Sequence, residues 1–299
     1  VEFATNYDGR AYMKQLFRRS TPSRQVGLLL ANDRIMLAAV GNPPVFATRT
    51  INGPQEWAVA INELFSRHGL AKSRVRVALA ASLYQQIQID KPAVPDAEMA
   101  GALPWAVKDY VSEPVLQLAM DYVDLPTPPA GRPRINVICL PKSRVQQLAD
   151  AINGIATLQS IISDELALTS LYEADDVVRM LLWQPKGQDL QLLVFHQGGL
   201  CFSRQLRGFA ALTGPREPDI EQLDGLALEL QRSIDYLAGH LKLPEPGQLQ
   251  LAIASSAIGL LVRHLEQAFG FPVSAMANKA VLAGVEYLCA YGAALGGER

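Results

Sequence analysis

The chain has 299 residues, 49% of them apolar and 19% charged, and its 27 basic and 29 acidic side chains leave a formal charge of −2. That composition excludes a disordered polymer, because enough apolar surface is present to build a sizeable core. The near-neutral balance argues against dedicated nucleic-acid binding, which needs a cationic field to hold phosphates.

Residues 1–23 read as a basic tail in which Met13 looks like a natural start and residues 1–12 look vector-derived. Three short β-rich runs follow, Val26 to Ala31, Arg34 to Val40 and Val45 to Thr50, separated by Asn32-Asp33 and by Gly41-Asn42-Pro43-Pro44. Such runs with turn residues between them predict a hairpin meander. Trp57, Ile61, Leu64 and Phe65 keep a 3.6-residue period, so a helix is expected over Pro54 to His68, stopped by Gly69. Strands are expected at Arg74 to Ala81 and Leu83 to Asp90. The next helix opens with Asp96 as its N-cap, carries Met99, Leu103, Ala106 and Tyr110 along one stripe, and should kink or split at Pro104. A strand from Leu116 to Asp124, a loop at Pro126 to Gly131, a strand at Ile135 to Leu140 and a helix at Lys142 to Asn153 follow. Strand Leu158 to Ser163 and helix Glu165 to Tyr172 close the first half, with Asp164 and Glu165 as capping and first-turn acids.

The second half repeats the first. Val178 to Trp183, Leu190 to His196 and Leu200 to Leu206 form another three-strand meander. A long helix from Pro218 to Lys242 buries Ile220, Leu223, Leu226, Leu230, Ile234, Leu237 and Leu241. Strand Gln248 to Ala254, helix Ala257 to Phe269, a short run at Pro272 to Met276 and helix Lys279 to Leu295 end the chain. The repetition predicts an α/β duplication, with a first lobe over 24–174, an insert at about 72–142, and a second lobe over 175–299.

Few residues signal chemistry on their own. Cys139, Cys201 and Cys289 lie in apolar runs without a CxxC partner, so no disulfide framework or metal site is expected and a reducing compartment fits. His68, His196, His240 and His264 lack the i, i+4 spacing of ligand pairs. Ser203, Ser255 and Ser256 are nucleophiles by residue type only, since none sits in a G-x-S-x-G turn. Trp57, Trp105 and Trp183 are expected in the core or at subdomain contacts. Val281 to Gly297 is the longest apolar stretch, but Glu286 and four glycines make it a buried helix rather than a membrane span. No apolar segment follows Arg10, Lys14, Arg18 and Arg19, so no secretory signal is expected, and Leu16 and Phe17 among them belong to a solvated tail.

The order of elements resembles the actin-like superfamily, in the branch that includes FtsA, PilM and the cytoplasmic part of GspL. Ala102-Leu103-Pro104-Trp105-Ala106-Val107-Lys108-Asp109-Tyr110-Val111, Ile161 to Leu168, Glu229 to Tyr236 and the ending Ala290-Tyr291-Gly292-Ala293-Ala294-Leu295-Gly296-Gly297 carry the likeness. Phe195 to Arg204 is similar to the MshI group of mannose-sensitive haemagglutinin (MSHA) pilus proteins. The resemblance implies a two-lobed actin-like, duplicated RNase H-like α/β fold with a small α/β subdomain inserted in the first lobe.

In that superfamily an Asp and glycines in two strand turns hold Mg-ATP, because a carboxylate organises the metal and glycine lets backbone N–H groups reach phosphate. Here the first position falls at Leu29-Leu30-Ala31, the second at Leu181 to Lys186 with Pro185 and no carboxylate, and the adenosine turn carries Ser255 and Ser256 where glycines are usual. A retained nucleotide would meet Asn32, Asp33, Gln184, Lys186, Arg232, Ser255 and Ser256. The expectation is instead no cofactor, neither ATP nor Mg²⁺, and no enzymatic activity. The resemblance further implies a scaffold at the cytoplasmic face of an inner membrane, in a type IV pilus or type II secretion-like machine. Its partner would be the short cytoplasmic N-terminus of a single-span protein like MshJ or PilN, docked between residues 26–50 and 72–142, with the hexameric assembly ATPase as a second contact. A nucleotide-regulated actin-like ATPase is the competing expectation.

Overall fold

The computed structural model of the chain describes residues 23–126, 131–185, 187–213 and 217–296. The first half contains β1 (Gln25–Leu30), β2 (Arg34–Ala39), β3 (Val45–Thr50), α1 (Trp57–His68), β4 (Arg74–Leu79), β5 (Gln85–Asp90), α2 (Asp96–Val107), β6 (Leu118–Asp124), β7 (Arg134–Pro141), α3 (Lys142–Asn153), β8 (Thr157–Ser163) and the short α4 (Asp164–Ala167). The second half contains β9 (Val178–Trp183), β10 (Leu190–His196), β11 (Gly199–Leu206), α5 (Ile220–Tyr236), β12 (Pro246–Ala252), α6 (Ile258–Phe269), β13 (Val273–Ala275), α7 (Lys279–Ala283) and α8 (Leu288–Leu295).

The two halves build the same sheet twice. The first runs β3-β2-β1-β4-β8 and the second β11-β10-β9-β12-β13. In each, three antiparallel strands come first and two parallel strands extend them. The central strands are buried on both faces, which explains the unbroken apolar runs Val26–Leu30, Ile35–Ala39, Met180–Trp183 and Leu192–Phe195 in β1, β2, β9 and β10. Alternation assigns the faces. Leu28, Leu30, Ile35 and Leu37 pack with Trp57, Phe65 and Leu148 of α1 and α3, while Leu192, Val194, Leu226 and Leu230 join β10 to α5 on the far side of the second sheet.

Between the sheets lies a shared core. Leu29, Met36 and Ala78 of the first sheet and Leu181, Trp183, Leu193 and Phe195 of the second meet Leu288, Cys289, Ala290 and Ala293 of α8. That helix seats backbone against backbone. A Cβ on Gly27 of β1 would lie 1.8 Å from the Ala290 carbonyl oxygen, and one on Gly292 would lie 2.2 Å from that of Ala167. The insert is a separate three-stranded sheet, β5-β7-β6, with Ile87, Ile135 and Val137 covered by Met99, Leu103 and Val107 of α2.

Several expectations are corrected. Pro95 occupies the cap position of α2 without a side-chain bond, and Asp96 lies 3.7 Å from Lys91 instead. The helix continues past Pro104, because the carbonyl it leaves unbonded belongs to Ala100, an exposed residue that water can serve. Trp105 points away from the insert core at 74% exposure, and Tyr110 and Leu116 are also exposed. Ile220, at the first turn of α5, is exposed too; the helix ends at Tyr236, followed by a π-turn over Leu237–Leu241. The C-terminal helix is divided into α7 and α8 because Gly284 adopts φ 147°, and Leu282 faces solvent. The basic tail expectations fall outside the described residues. Trp105→Ala should therefore change unfolding free energy by no more than about 0.5 kcal/mol in urea titrations, as for surface substitutions generally.

Candidate functional site

Because β1–β2 and β9–β10 are equivalent hairpins, their turns open on one cleft between the sheets. A cavity of about 50 Å³ there is bounded by Leu29, Asp33, Arg34, Asp164, Trp183 and Gln184 among others. It continues towards a wider hollow of about 820 Å³ that Gln184, Gln188, Ala254 and Glu286 border. Asp33 and Gln184 thus reach the same place, as expected for equivalent turns.

The other expected residues are placed differently. Asn32 donates to Ser82 Oγ at 3.1 Å and turns towards the insert. Ser255 Oγ accepts from the Ala257 amide at 3.2 Å, and Ser256 is exposed; only their neighbour Ala254 borders the wide hollow. Arg232 sits on α5, where it pairs with Glu229, which also holds Arg204 of β11. The structure does not bring it to the cleft. Lys186 lies outside the described residues.

The cleft's chemistry is poor in phosphate ligands. Leu29 and Trp183 put apolar side chains on its wall. Three amides at these turns have backbone partners: Ala31 donates to the Arg34 carbonyl at 2.9 Å, Gln184 to Ala252 at 3.3 Å and Gln188 to Pro185 at 3.0 Å. Arg34 is paired with Asp33. Among the described residues, Asp33, Asp164 and Glu286 set three carboxylates beside the single guanidinium of Arg34 around this cavity. No group of His, Cys, Asp or Glu among the described residues is arranged to hold a metal ion.

Glu165 stands in the first turn of α4, as the sequence expects, but Asp164 does not cap that helix. Ser163 does that instead, accepting from the Leu166 amide at 3.2 Å. Asp164 turns inward, 2% exposed, and accepts from Tyr84 Oη at 3.0 Å, the Ala81 amide at 3.2 Å and the Glu165 amide at 3.0 Å. Burial outweighs those bonds and pushes its carboxyl up to about 6. Glu165 accepts from Ser203 Oγ at 2.6 Å, and burial, with the neighbouring Asp164 charge, pushes it up to about 7. Ser203 is therefore a carboxylate donor in a lobe-to-lobe bond. Tyr84, 80 residues from Asp164 in sequence, had no local signal.

A second concavity lies at the insert. Strands β6 and β8 are both outermost in their sheets, and between them runs an apolar groove of about 250 Å³, with Ile138, Leu140, Val145 and Leu166 in its lining and Ala119, Val123, Ile161 and Ile162 along the strands. Its first-lobe wall is β8, whereas the expected wall of residues 26–50 contributes Asn32 alone to a neighbouring hollow of about 350 Å³ that also meets Tyr84, Leu118 and Arg144.

Solved structures with this architecture place the chain. One from the PilM–PilN type IV pilus biogenesis complex matches 92% of this chain and 98% of its own at 20% identity, with a TM-score of 0.64. The fold is actin-like. A Bacteroides thetaiotaomicron protein described as having an actin-like ATPase fold and unknown function matches 89% of this chain and 96% of its own at 11% identity, with a TM-score of 0.50. The cytoplasmic domain of EpsL, an inner-membrane component of the Vibrio cholerae type II secretion system, matches 77% and 82% at 14% identity, with a TM-score of 0.45. No family model and no curated protein matches the sequence. Among the described residues, no helix is long and apolar enough to cross a membrane.

Proposed function

We propose that this actin-like chain is a non-enzymatic docking scaffold of the PilM and MshI kind, serving a type IV (MSHA) pilus or a type II secretion-like machine at the cytoplasmic face of an inner membrane. The observation that carries this is the apolar groove between the unpaired edges of β6 and β8. An extended segment entering it gains backbone hydrogen bonds from a free strand edge and places alternate side chains on an apolar floor. The occupant is the short cytoplasmic N-terminus of a single-span partner like MshJ or PilN, and the hexameric assembly ATPase is a second contact. The likeness to a chain of the PilM–PilN complex supports this reading.

The cleft adds to this reading, since Leu29 and Trp183 line it and the amides of Ala31, Gln184 and Gln188 already have backbone partners. Ala119→Arg, which fills the groove from β6, should abolish co-purification of the partner, as should deletion of the partner's first dozen residues. Retention of the truncated partner would refute the groove. Mg-ATP should leave the melting midpoint unchanged, whereas a ligand at 100 times its Kd adds about 2.7 kcal/mol. Micromolar affinity lost in Asp33→Ala would establish the regulated ATPase instead.

A further inference from the structure

β4 leads to Ala80 at the cleft and α8 begins just after Glu286 beside it, so the other ends of both elements, at Arg76 and Gly296, meet away from the cleft. Two buried polar atoms at that corner have no hydrogen-bond partner among the described residues. They are Arg76 Nε of β4 and Ser160 Oγ of β8, on residues paired in register across neighbouring strands. Both side chains face inwards, because each stands two residues before an inward one, Ala78 and Ile162. The end of α8 closes the corner. A Cβ on Gly296 would lie 2.2 Å from Arg76 Nη1 and 2.7 Å from Ser170 Oγ, so guanidinium and hydroxyl converge on a spot that glycine alone leaves open.

We propose that this corner is an oxyanion site that takes a phosphate group between Arg76, Ser160 and Ser170. The guanidinium offers two parallel N–H donors and the two hydroxyls offer others from adjoining elements, a set that suits a tetrahedral anion better than a planar carboxylate. Charge points the same way. None of the ion pairs among the described residues includes Arg76, so its half-buried guanidinium is desolvated without a counterion. The open carbonyls that end α8 hold the cation in place through their dipole without neutralising it. A bound phosphate supplies the missing charge and ties β4 and β8 to the end of α8. Because β8 is the outermost strand of its sheet, the anion reaches the corner past a free edge. The site shares no residue with the groove or the cleft and is independent of what docks there.

Amide chemical shifts of the isotope-labelled full chain, followed while inorganic phosphate is added at an ionic strength held constant with chloride, test the site. Shifts centred on Ser160, Ser170 and Gly296 should saturate with a Kd of about 1 mM, as fits a few charge-assisted bonds to an anion that water also solvates. Arg76→Lys keeps the charge but loses the fork, so it should bind about tenfold more weakly. Ser160→Ala should bind about threefold more weakly, yet keep its melting midpoint in phosphate-free buffer because the hydroxyl has no partner to lose. Phenyl phosphate, titrated in parallel, separates the sources of the group. Affinity like that of inorganic phosphate assigns a phosphoryl group carried on a larger molecule, and binding of inorganic phosphate alone assigns the free anion. Shifts that do not saturate by about 20 mM phosphate would overturn the site, as would unchanged affinity in Arg76→Lys or shifts centred away from those three residues.

Discussion

Gly27→Ala is expected to lower the unfolding free energy by about 3 kcal/mol, the upper end for overpacking a core. The new methyl would lie 1.8 Å from the Ala290 carbonyl oxygen and 2.5 Å from the Ala294 nitrogen, both backbone atoms that no rotamer change can move. On the opposite side of α8, a methyl on Gly292 would press 2.2 Å from the Ala167 oxygen. Alanine's better helix propensity returns about 1 kcal/mol at that position, so Gly292→Ala should cost about 2. Positions 290 and 294 point about 180° away from 292 on a helix, so relief on one side worsens the clash on the other. The double variant should therefore lose more than the sum of the two, by urea unfolding, and single losses below about 1 kcal/mol would contradict the backbone contact.

The second large effect is a fall in stability as pH rises. Asp164 and Glu165 have folded-state values of about 6 and about 7, above the 3.8 and 4.5 of the free groups. The folded chain therefore binds protons more tightly than the unfolded one. The stabilisation is complete below the unfolded values and is lost as pH rises through the folded ones. Each unit is worth about 1.4 kcal/mol; with the pair coupled and Glu165 only partly buried, the combined loss between pH 5 and 8 should be about 3 kcal/mol. Glu165→Gln should recover about 2 kcal/mol of it at pH 8 and nothing at pH 5. Urea titrations at the two pH values measure this, and stability that increases from 5 to 8 would reverse the sign.

The strands and their duplication were legible because both signals are local. Short apolar runs such as Leu28 to Leu30 and Leu192 to Val194, with turn residues at Asn32-Asp33 and Gly198-Gly199, are enough to place two meanders. Helix periodicity said less than it promised. Ile220 and Tyr110 keep helical spacing but lie on open faces, because spacing does not say whether anything will cover a residue. In the cleft, Asp33 and Gln184 could be found from equivalent turns. Tyr84 and Ser203 could not, since each meets its carboxylate across tens of residues. Asp164 carries no such signal either, since an acid after a strand looks the same whether it caps a helix or turns into the core. The groove wall at β8 likewise depends on where the insert folds back, which no short motif encodes.

The seat of α8 on β1 has a consequence for how the protein is made. Some 260 residues separate Gly27 from Ala290, so the inner face of the first sheet stays uncovered while the rest is being translated. Contacts of such long range form late and slowly. The nascent first lobe must leave the ribosome with Leu29 and Met36 bare to solvent, a sticky surface until α8 arrives.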